Sequence, residues 1–136
     1  MGFSLRRKTG QAAQEYRGYL ASPEWKRTRG AYFAWVYGQG MRPACQVCGV
    51  ERSPEGTALD LHHMSYDRVH RGPDGTWVSG EERADLVMMC RTCHNWLHGI
   101  LDGSGRDWKG WDRKRASVAI IVHLRNQLTA ERGQAR

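Results

Sequence analysis

Four cysteines stand in two pairs, Cys45-x-x-Cys48 and Cys90-x-x-Cys93, with 41 residues between the pairs. A CxxC pair turns two thiolates toward one ion, and two such pairs complete a tetrahedral donor set of the kind that holds structural zinc. A disulfide fits less well, because nothing marks the chain as secreted. A thioredoxin-like redox motif needs one CxxC in a βαβ context, which this chain lacks. Four thiolates close the coordination sphere, so any reaction must take place elsewhere. A second donor set is at hand. His62 and His63 are adjacent, His94 directly follows Cys93, and His98 is four residues further on. On a helix, positions 94 and 98 share one face. A strand bearing His62-His63, pinned through zinc to a helix bearing His94 and His98, brings three or four imidazoles within reach of one point.

The elements that must position these side chains follow from periodicity and caps. Residues 11–20 read as a short helix through Ala12, Ala13, Tyr16 and Leu20. Ser22-Pro23-Glu24 is a helix start, with Ser as cap, Pro at the first helical position and Glu at the positive end of the dipole. Trp25, Tyr32, Phe33 and Val36 recur at helical spacing, and Gly38 and Gly40 end that helix. A short strand is expected from Thr57 to about His63, then a polar loop with a turn at Pro73-Asp74-Gly75. Leu86–Met89 read as a second strand ending at Cys90, and helix resumes near Thr92 through Leu101. A last helix is expected from Asp112 to Ala130, with Val118, Ile121, Val122 and Leu128 inward. One stereochemical condition attaches to the histidine pair. Neighbours on a regular strand face opposite sides, so His62 and His63 share a site only if the chain bends there; otherwise one of them is structural.

The chain has 136 residues, 40% hydrophobic and 26% charged, which suits one globular domain and excludes wholesale disorder. No apolar run reaches the length of a membrane span and no signal-peptide-like run follows Met1, so a cytoplasmic protein without a membrane partner is expected. The net charge is +7 and unevenly spread. Residues 1–44 carry net +6, residues 45–101 net −3 and residues 102–136 net +4. Two basic flanks thus enclose an acidic middle holding all four cysteines and five of the six histidines. A metal site beside a phosphate-binding surface has this distribution, which makes a polyanion the expected partner. Arg113, Lys114 and Arg115 open the last helix against its dipole. Either a phosphate sits there or this is a solvated basic turn.

The stretches CQVCG, LDLHHMSYDR and DLVMMCRTCHNWLH resemble the HNH endonucleases over roughly residues 43–101, and the upstream SPEW segment resembles the lead-in helix of small phage-type members. The resemblance implies an α+β fold: a small ββα-metal (His-Me finger) core with a four-cysteine zinc, flanked by N-terminal and C-terminal helices. The chain then divides into a basic helical lead-in (1–42), a zinc-stapled core (43–101) and a basic C-terminal helix (102–136). Carried over residue by residue, His62 and His94 bind a catalytic divalent ion and His63 is the general base. His98 is either a further ligand, as in colicin-type members, or a surface imidazole. The family's loop-supporting Asn is replaced here by Asp85, which accepts backbone hydrogen bonds but cannot donate when ionised.

The activity implied is metal-dependent hydrolysis of DNA phosphodiester bonds, leaving 5′-phosphate and 3′-hydroxyl ends. A neutral imidazole is a suitable base near neutral pH, and one divalent ion can polarise the phosphate and neutralise the leaving oxygen. Mg²⁺, Mn²⁺, Ni²⁺ and Zn²⁺ all remain open, the histidine-rich set favouring the softer ions. With one active site and no sequence-reading module, nicking with low specificity by a monomer or weak dimer is expected. Arg68 and Arg91, with Arg113, Lys114 and Arg115, are candidate phosphate contacts or ordinary solvated cations. The competing functions are a non-catalytic zinc-stapled nucleic-acid-binding module and an accessory subunit of a phage packaging or restriction complex.

Overall fold

The computed structural model describes residues 10–53, 58–103 and 110–134. It is an α+β arrangement of four helices and two small antiparallel sheets. The order is α1 (Gly10–Leu20), α2 (Pro23–Gly38), β1 (Leu59–His63), β2 (Val69–Arg71), β3 (Trp77–Ser79), a 3-10 turn (Arg83–Asp85), β4 (Leu86–Cys90), α3 (Arg91–Gly103) and α4 (Arg113–Gln134). Residues 1–9, with Arg6, Arg7 and Lys8 of the basic lead-in, and Thr57 at the expected start of β1 lie outside the described residues. No helix among the described residues is long and apolar enough to cross a membrane.

Local chemistry explains the boundaries. The Ser22 hydroxyl accepts the backbone N–H of Trp25 at 3.2 Å, with Pro23 and Glu24 in the first turn, so α2 starts as its sequence dictates. It ends at Gly38, and Gly40 takes the left-handed φ of 74° that glycine tolerates. The Asp112 carboxylate caps α4 by accepting the N–H of Arg115 at 2.7 Å.

β1 pairs with β4 along its whole length, His62 opposite Val87 and His63 opposite Leu86, and both flank the core. α3 follows β4 without a break and packs on α4 and on β1. The polar segment between β1 and β4 is more ordered than its composition suggests. The Pro73-Asp74-Gly75 turn closes a second hairpin, Val69 opposite Ser79 and Arg71 opposite Trp77. Asp74 holds the turn by accepting from the Thr76 N–H and hydroxyl, and Gly75 has a φ of 83°. Two three-residue strands carry too little apolar alternation to be read from sequence.

The inward face of α4 differs from the expected one. Val118 and Val122 are exposed. The stripe that turns inward is Arg113, Ala116, Ser117, Ile120, Ile121 and Leu124. Its spacing is helical, but Arg113 and Ser117 interrupt it with polar side chains, which shifts the apparent apolar phase. Both polar residues serve the histidines described below.

Candidate metal centres

Two groups of side chains among the described residues converge closely enough to hold an ion. In the first, the Sγ atoms of Cys45, Cys48, Cys90 and Cys93 all lie within 4.8 Å of one another. Cys45 and Cys48 occupy the turn after Pro43, Cys90 ends β4 and Cys93 lies in the first turn of α3. The turn is fixed by Cys45 N–H to Val50 C=O at 2.8 Å and Gln46 N–H to Met88 C=O at 2.9 Å. Backbone donors point at sulfur, among them Val47 N–H at Cys45 (3.4 Å) and Cys93 N–H at Cys90 (3.5 Å). Burial opposes ionisation of Cys45, but backbone hydrogen bonds outweigh it and bring the thiol down to about 7. Burial pushes Cys48 and Cys93 up. Four neighbouring thiols cannot all ionise without a cation among them. The Cys48–Cys90 separation of 3.8 Å agrees with the edge of about 3.8 Å of a tetrahedron with metal–sulfur bonds of about 2.3 Å.

The second group is His62, His94 and His98. His62 Nδ1 lies 3.3 Å from His94 Nε2, which lies 3.0 Å from His98 Nε2. Each outer nitrogen has its own partner. His94 Nδ1 meets Asp60 Oδ2 at 2.9 Å, His98 Nδ1 meets Asp102 Oδ2 at 2.8 Å, and His62 Nε2 meets the Ser117 hydroxyl at 2.9 Å. A carboxylate only accepts, so both Nδ1 atoms carry their hydrogen and both Nε2 atoms present lone pairs. Two lone pairs at 3.0 Å repel unless a proton or a cation lies between them. A proton would charge a ring that burial holds neutral, for His94 lies below the ordinary imidazole value chiefly through burial, although Asp60 opposes the shift. His62 lies well below it, through burial first and then the neighbouring Arg113. A metal ion removes the conflict. Metal–nitrogen bonds of about 2.0 to 2.1 Å give separations of about 2.8 to 3.0 Å at right-angled and about 3.3 to 3.4 Å at tetrahedral coordination, and the separations of 3.0 and 3.3 Å match one of each. Orienting carboxylates behind ligating imidazoles are the usual outer shell of such sites.

This cluster forms because β1 alternates. Asp60 and His62 share a face and meet the helix face bearing His94 and His98. The site opens at one side. His62 is 1% exposed, whereas the side chains of His94 and His98 are 18% and 30% exposed. They line a cleft of about 500 Å³ with Asp60, Arg17, Arg29 and Arg91.

His63 does not join them. β1 stays regular through His63, and the chain leaves the strand only at Met64, whose N–H bonds the Asp85 carbonyl at 2.6 Å. His63 therefore points to the opposite side, toward α1 and α2. Its ring stacks on Tyr66 at 4.3 Å and 12°, lies 4.6 Å from Trp25, and meets the Glu81 carboxylate through Nε2 at 2.7 Å. It is 1% exposed, and burial lowers its pKa despite Glu81. The condition for both histidines to share one site is not met in this conformation.

Asp85 supports the loop as a carbonyl acceptor for Met64, and its side chain accepts from Glu82 N–H at 2.8 Å and from Arg68 through both oxygens at 3.0 Å. Arg68 is thus an anchor of the loop it leaves. Arg91 grips Asp60 at 2.9 and 3.1 Å at the cleft edge. Arg113 is 8% exposed; its Nε donates to the His63 carbonyl at 2.8 Å and its guanidinium lies 5.1 Å from the Tyr66 ring centre. At this helix start, where the sequence leaves a phosphate contact and a solvated basic turn both open, the Arg113 side chain is buried against His63 and Tyr66. Lys114 and Arg115 are exposed, Arg115 over the Trp111 ring at 4.0 Å. Asp60, Glu81, Asp102 and Ser117 were missed from sequence. Asp60 and Asp102 had a signal, two residues before His62 on one strand face and four after His98 on one helix face. Glu81 and Ser117 had none, because tertiary packing alone brings them to the histidines.

A scan against models of known families matches none for this chain, and searches of curated proteins and of solved structures likewise give no match. Fold and site define a class on their own terms: an α+β protein with a four-cysteine and a three-histidine cluster, each arranged to bind a metal.

Proposed function

We propose that the protein is an HNH-type, metal-dependent endonuclease that hydrolyses DNA phosphodiester bonds, with β1, β4 and α3 as its ββα-metal unit. The observation that carries this reading is the His62–His94–His98 cluster, held between a strand and a helix at the edge of an arginine-lined cleft. In this reading Cys45, Cys48, Cys90 and Cys93 hold a structural zinc, and the three histidines hold the catalytic divalent ion. That ion, when bound, supplies charge neutralisation at the scissile phosphate and the leaving oxygen. Asp60 and Asp102 keep the metal-facing nitrogens of His94 and His98 free of protons, and the Ser117 hydroxyl can accept from His62 Nε2–H when His62 binds the ion through Nδ1. Arg17, Arg29 and Arg91 offer the entering phosphate backbone positive charge without reading sequence, in keeping with nicking of low specificity. His63 is the base in this reading; its ring faces away from the three-histidine cluster, so it must leave Glu81 and the cage of Trp25 and Tyr66 and turn toward the cleft before it can take the proton of the attacking water. The test is nicking of supercoiled plasmid with Mg²⁺, Mn²⁺, Ni²⁺ or Zn²⁺. Nicked circles that vanish with EDTA, and vanish in a His63→Ala variant that retains its zinc, are the expected result.

A second reading rests on one observation: His63 is 1% exposed and lines neither main cleft. A zinc-stapled module that binds nucleic acid without cutting, or an accessory subunit acting with a packaging or restriction partner, needs no accessible base. DNA retarded on a gel but uncut with every metal favours this reading.

A further inference from the structure

The buried ring of Phe33 on α2 carries two guanidinium groups. Arg29, one turn earlier on the helix, has its guanidinium carbon 4.9 Å from the ring centre, and Arg52 has its own 4.2 Å from the same point. Together the two distances allow the charges to stand at most about 9 Å apart. Each arrives from a different element. Arg29 is tied to β1, its Nη2 donating to the Leu59 carbonyl at 2.9 Å. Arg52 follows the cysteine-bearing turn, its backbone N–H bonded to the Pro43 carbonyl at 2.9 Å beside the Ala44–Glu51 bridge. Other arginines have acids of their own: Arg42 has Glu51, Arg68 has Asp85 and Arg91 has Asp60. Neither Arg29 nor Arg52 pairs with a carboxylate among the described residues. Asp60, whose charge reaches Arg29, is already held by His94 and Arg91. Burial first, and then the charge of Arg52, lower the pKa of Arg29. Two like charges gathered on one ring repel, and an anion between them turns the repulsion into attraction.

We propose, resting on the reading above in which DNA enters the histidine cleft, that Arg29 and Arg52 form a seat for one backbone phosphate away from the scissile bond. Arg29 lines that cleft with His94 and His98, and Arg52 extends the positive charge past it. A guanidinium N–H bonded to a phosphate oxygen at about 2.8 Å puts phosphorus about 4 Å from the guanidinium carbon, so one phosphate bridges two guanidinia up to about 8 Å apart. A phosphodiester has two non-bridging oxygens, one for each arginine. Stacking on Phe33 holds both guanidinium planes before the ligand arrives, so little rotamer freedom is lost on binding. No bond forms or breaks at the seat. It fixes the strand relative to the ion without reading sequence.

The experiment measures binding of a short fluorescent DNA duplex across a salt series, with no metal added beyond the zinc already bound. It compares wild type, Arg29→Gln, Arg52→Gln, the double variant and Arg27→Gln, an exposed α2 cation outside the seat. Zinc content and melting temperature are taken for each. Arg29→Gln and Arg52→Gln are each expected to weaken binding roughly ten-fold, with little change in the salt slope, because the remaining arginine still neutralises the phosphate. The double variant is expected to lose less than the product of the singles and to lower the salt slope by about one contact in all. Arg27→Gln is expected to change affinity by less than about two-fold. Wild-type affinity in the Arg52→Gln variant, an equal loss in Arg27→Gln, or a double variant whose slope falls by two contacts overturns the seat. If Arg29→Gln does not fold, Arg52→Gln against Arg27→Gln decides. Arginine side-chain ¹⁵N–¹H spectra identify the ligand. The duplex is expected to shift Arg29 and Arg52 together, and signals that move with inorganic phosphate but not with the duplex overturn the DNA assignment. Plasmid nicking in Mn²⁺, run in parallel, separates the two claims. The expected binding pattern without any nicking sinks the nuclease reading and leaves the seat, whereas EDTA-sensitive nicking with unchanged binding in the variants sinks the seat alone.

Discussion

His94 and His98, one turn apart on α3, present their Nε2 atoms to each other at 3.0 Å while each Nδ1 is held by its own aspartate. The arrangement is costly for neutral imidazoles alone and favourable around a cation. His62 completes the set from the neighbouring strand, anchored behind by Ser117.

The aspartates should therefore set affinity. Asp60→Asn and Asp102→Asn are expected to weaken binding of Mn²⁺ or Zn²⁺ to the histidine cluster by roughly ten- to a hundred-fold each, without removing the ion held by the cysteines. Calorimetric titration of protein already carrying one zinc measures this. Unchanged affinity in both variants would remove the aspartates from the outer shell.

Acid should destabilise the protein in a defined order. Burial is the main cause that holds His62, His63 and His94 below the ordinary imidazole value, which is about 6.5. Below that pH the unfolded chain takes up protons that the folded chain does not. Their contribution to stability is complete above about 6.5 and is lost as pH falls through the lowered folded values. Asp60 is held low mainly by its hydrogen bond with His94, and Glu81 is low because three donors outweigh its burial. Their contribution is complete above about 4 and lost further down. With the histidine cluster metal-free, the urea midpoint is expected to decline from pH 6.5 to 5. An ion on the histidines should shift that decline to lower pH, since protons and metal compete. A flat midpoint between pH 8 and 5 contradicts the buried-neutral assignment.

The cysteine cluster joins the segment before β1 to the junction of β4 and α3, which carries His94. Cys93→Ala is expected to lose one bound ion per chain, unfold at markedly lower temperature and lose the histidine site as a consequence. Metal analysis and circular dichroism check this. A variant that melts like wild type would show that the four thiols are not a metal staple.

Arg113 and its neighbours should separate stability from DNA contact. Arg113→Ala leaves the His63 carbonyl without its donor and is expected to cost roughly 2–3 kcal/mol in urea unfolding. Lys114→Ala and Arg115→Ala should change stability by less than about 0.5 kcal/mol. Each should instead lower the salt dependence of DNA retention by about one counterion. Equal stability losses in all three would refute the distinction.

The sequence is most informative where spacing is local. Cys45-x-x-Cys48, Cys90-x-x-Cys93 and the 94/98 pair carry their geometry in their numbering, and the Ser22-Pro23-Glu24 start and the Leu86–Cys90 strand follow from caps and apolar runs. The β2–β3 hairpin was not legible, since three-residue strands leave no pattern. The phase of α4 departs from its apolar pattern because two inward positions, Arg113 and Ser117, support histidines. The strict alternation of β1 was legible as a condition, and the structure resolves it: His62 enters the three-histidine cluster, and His63 lies on the other side with Glu81, a residue 18 positions away that no local pattern connects to it.

The most direct test counts ions and cuts together. Wild type and His94→Ala, prepared in parallel, are analysed for bound metal after equilibration with Mn²⁺ or Zn²⁺ and then assayed on supercoiled plasmid. Two ions per chain and EDTA-sensitive nicking are expected for wild type, and one ion with no nicking for a folded His94→Ala. A wild type that binds only the cysteine-held ion, or a His94→Ala variant that nicks as fast as wild type, contradicts that expectation.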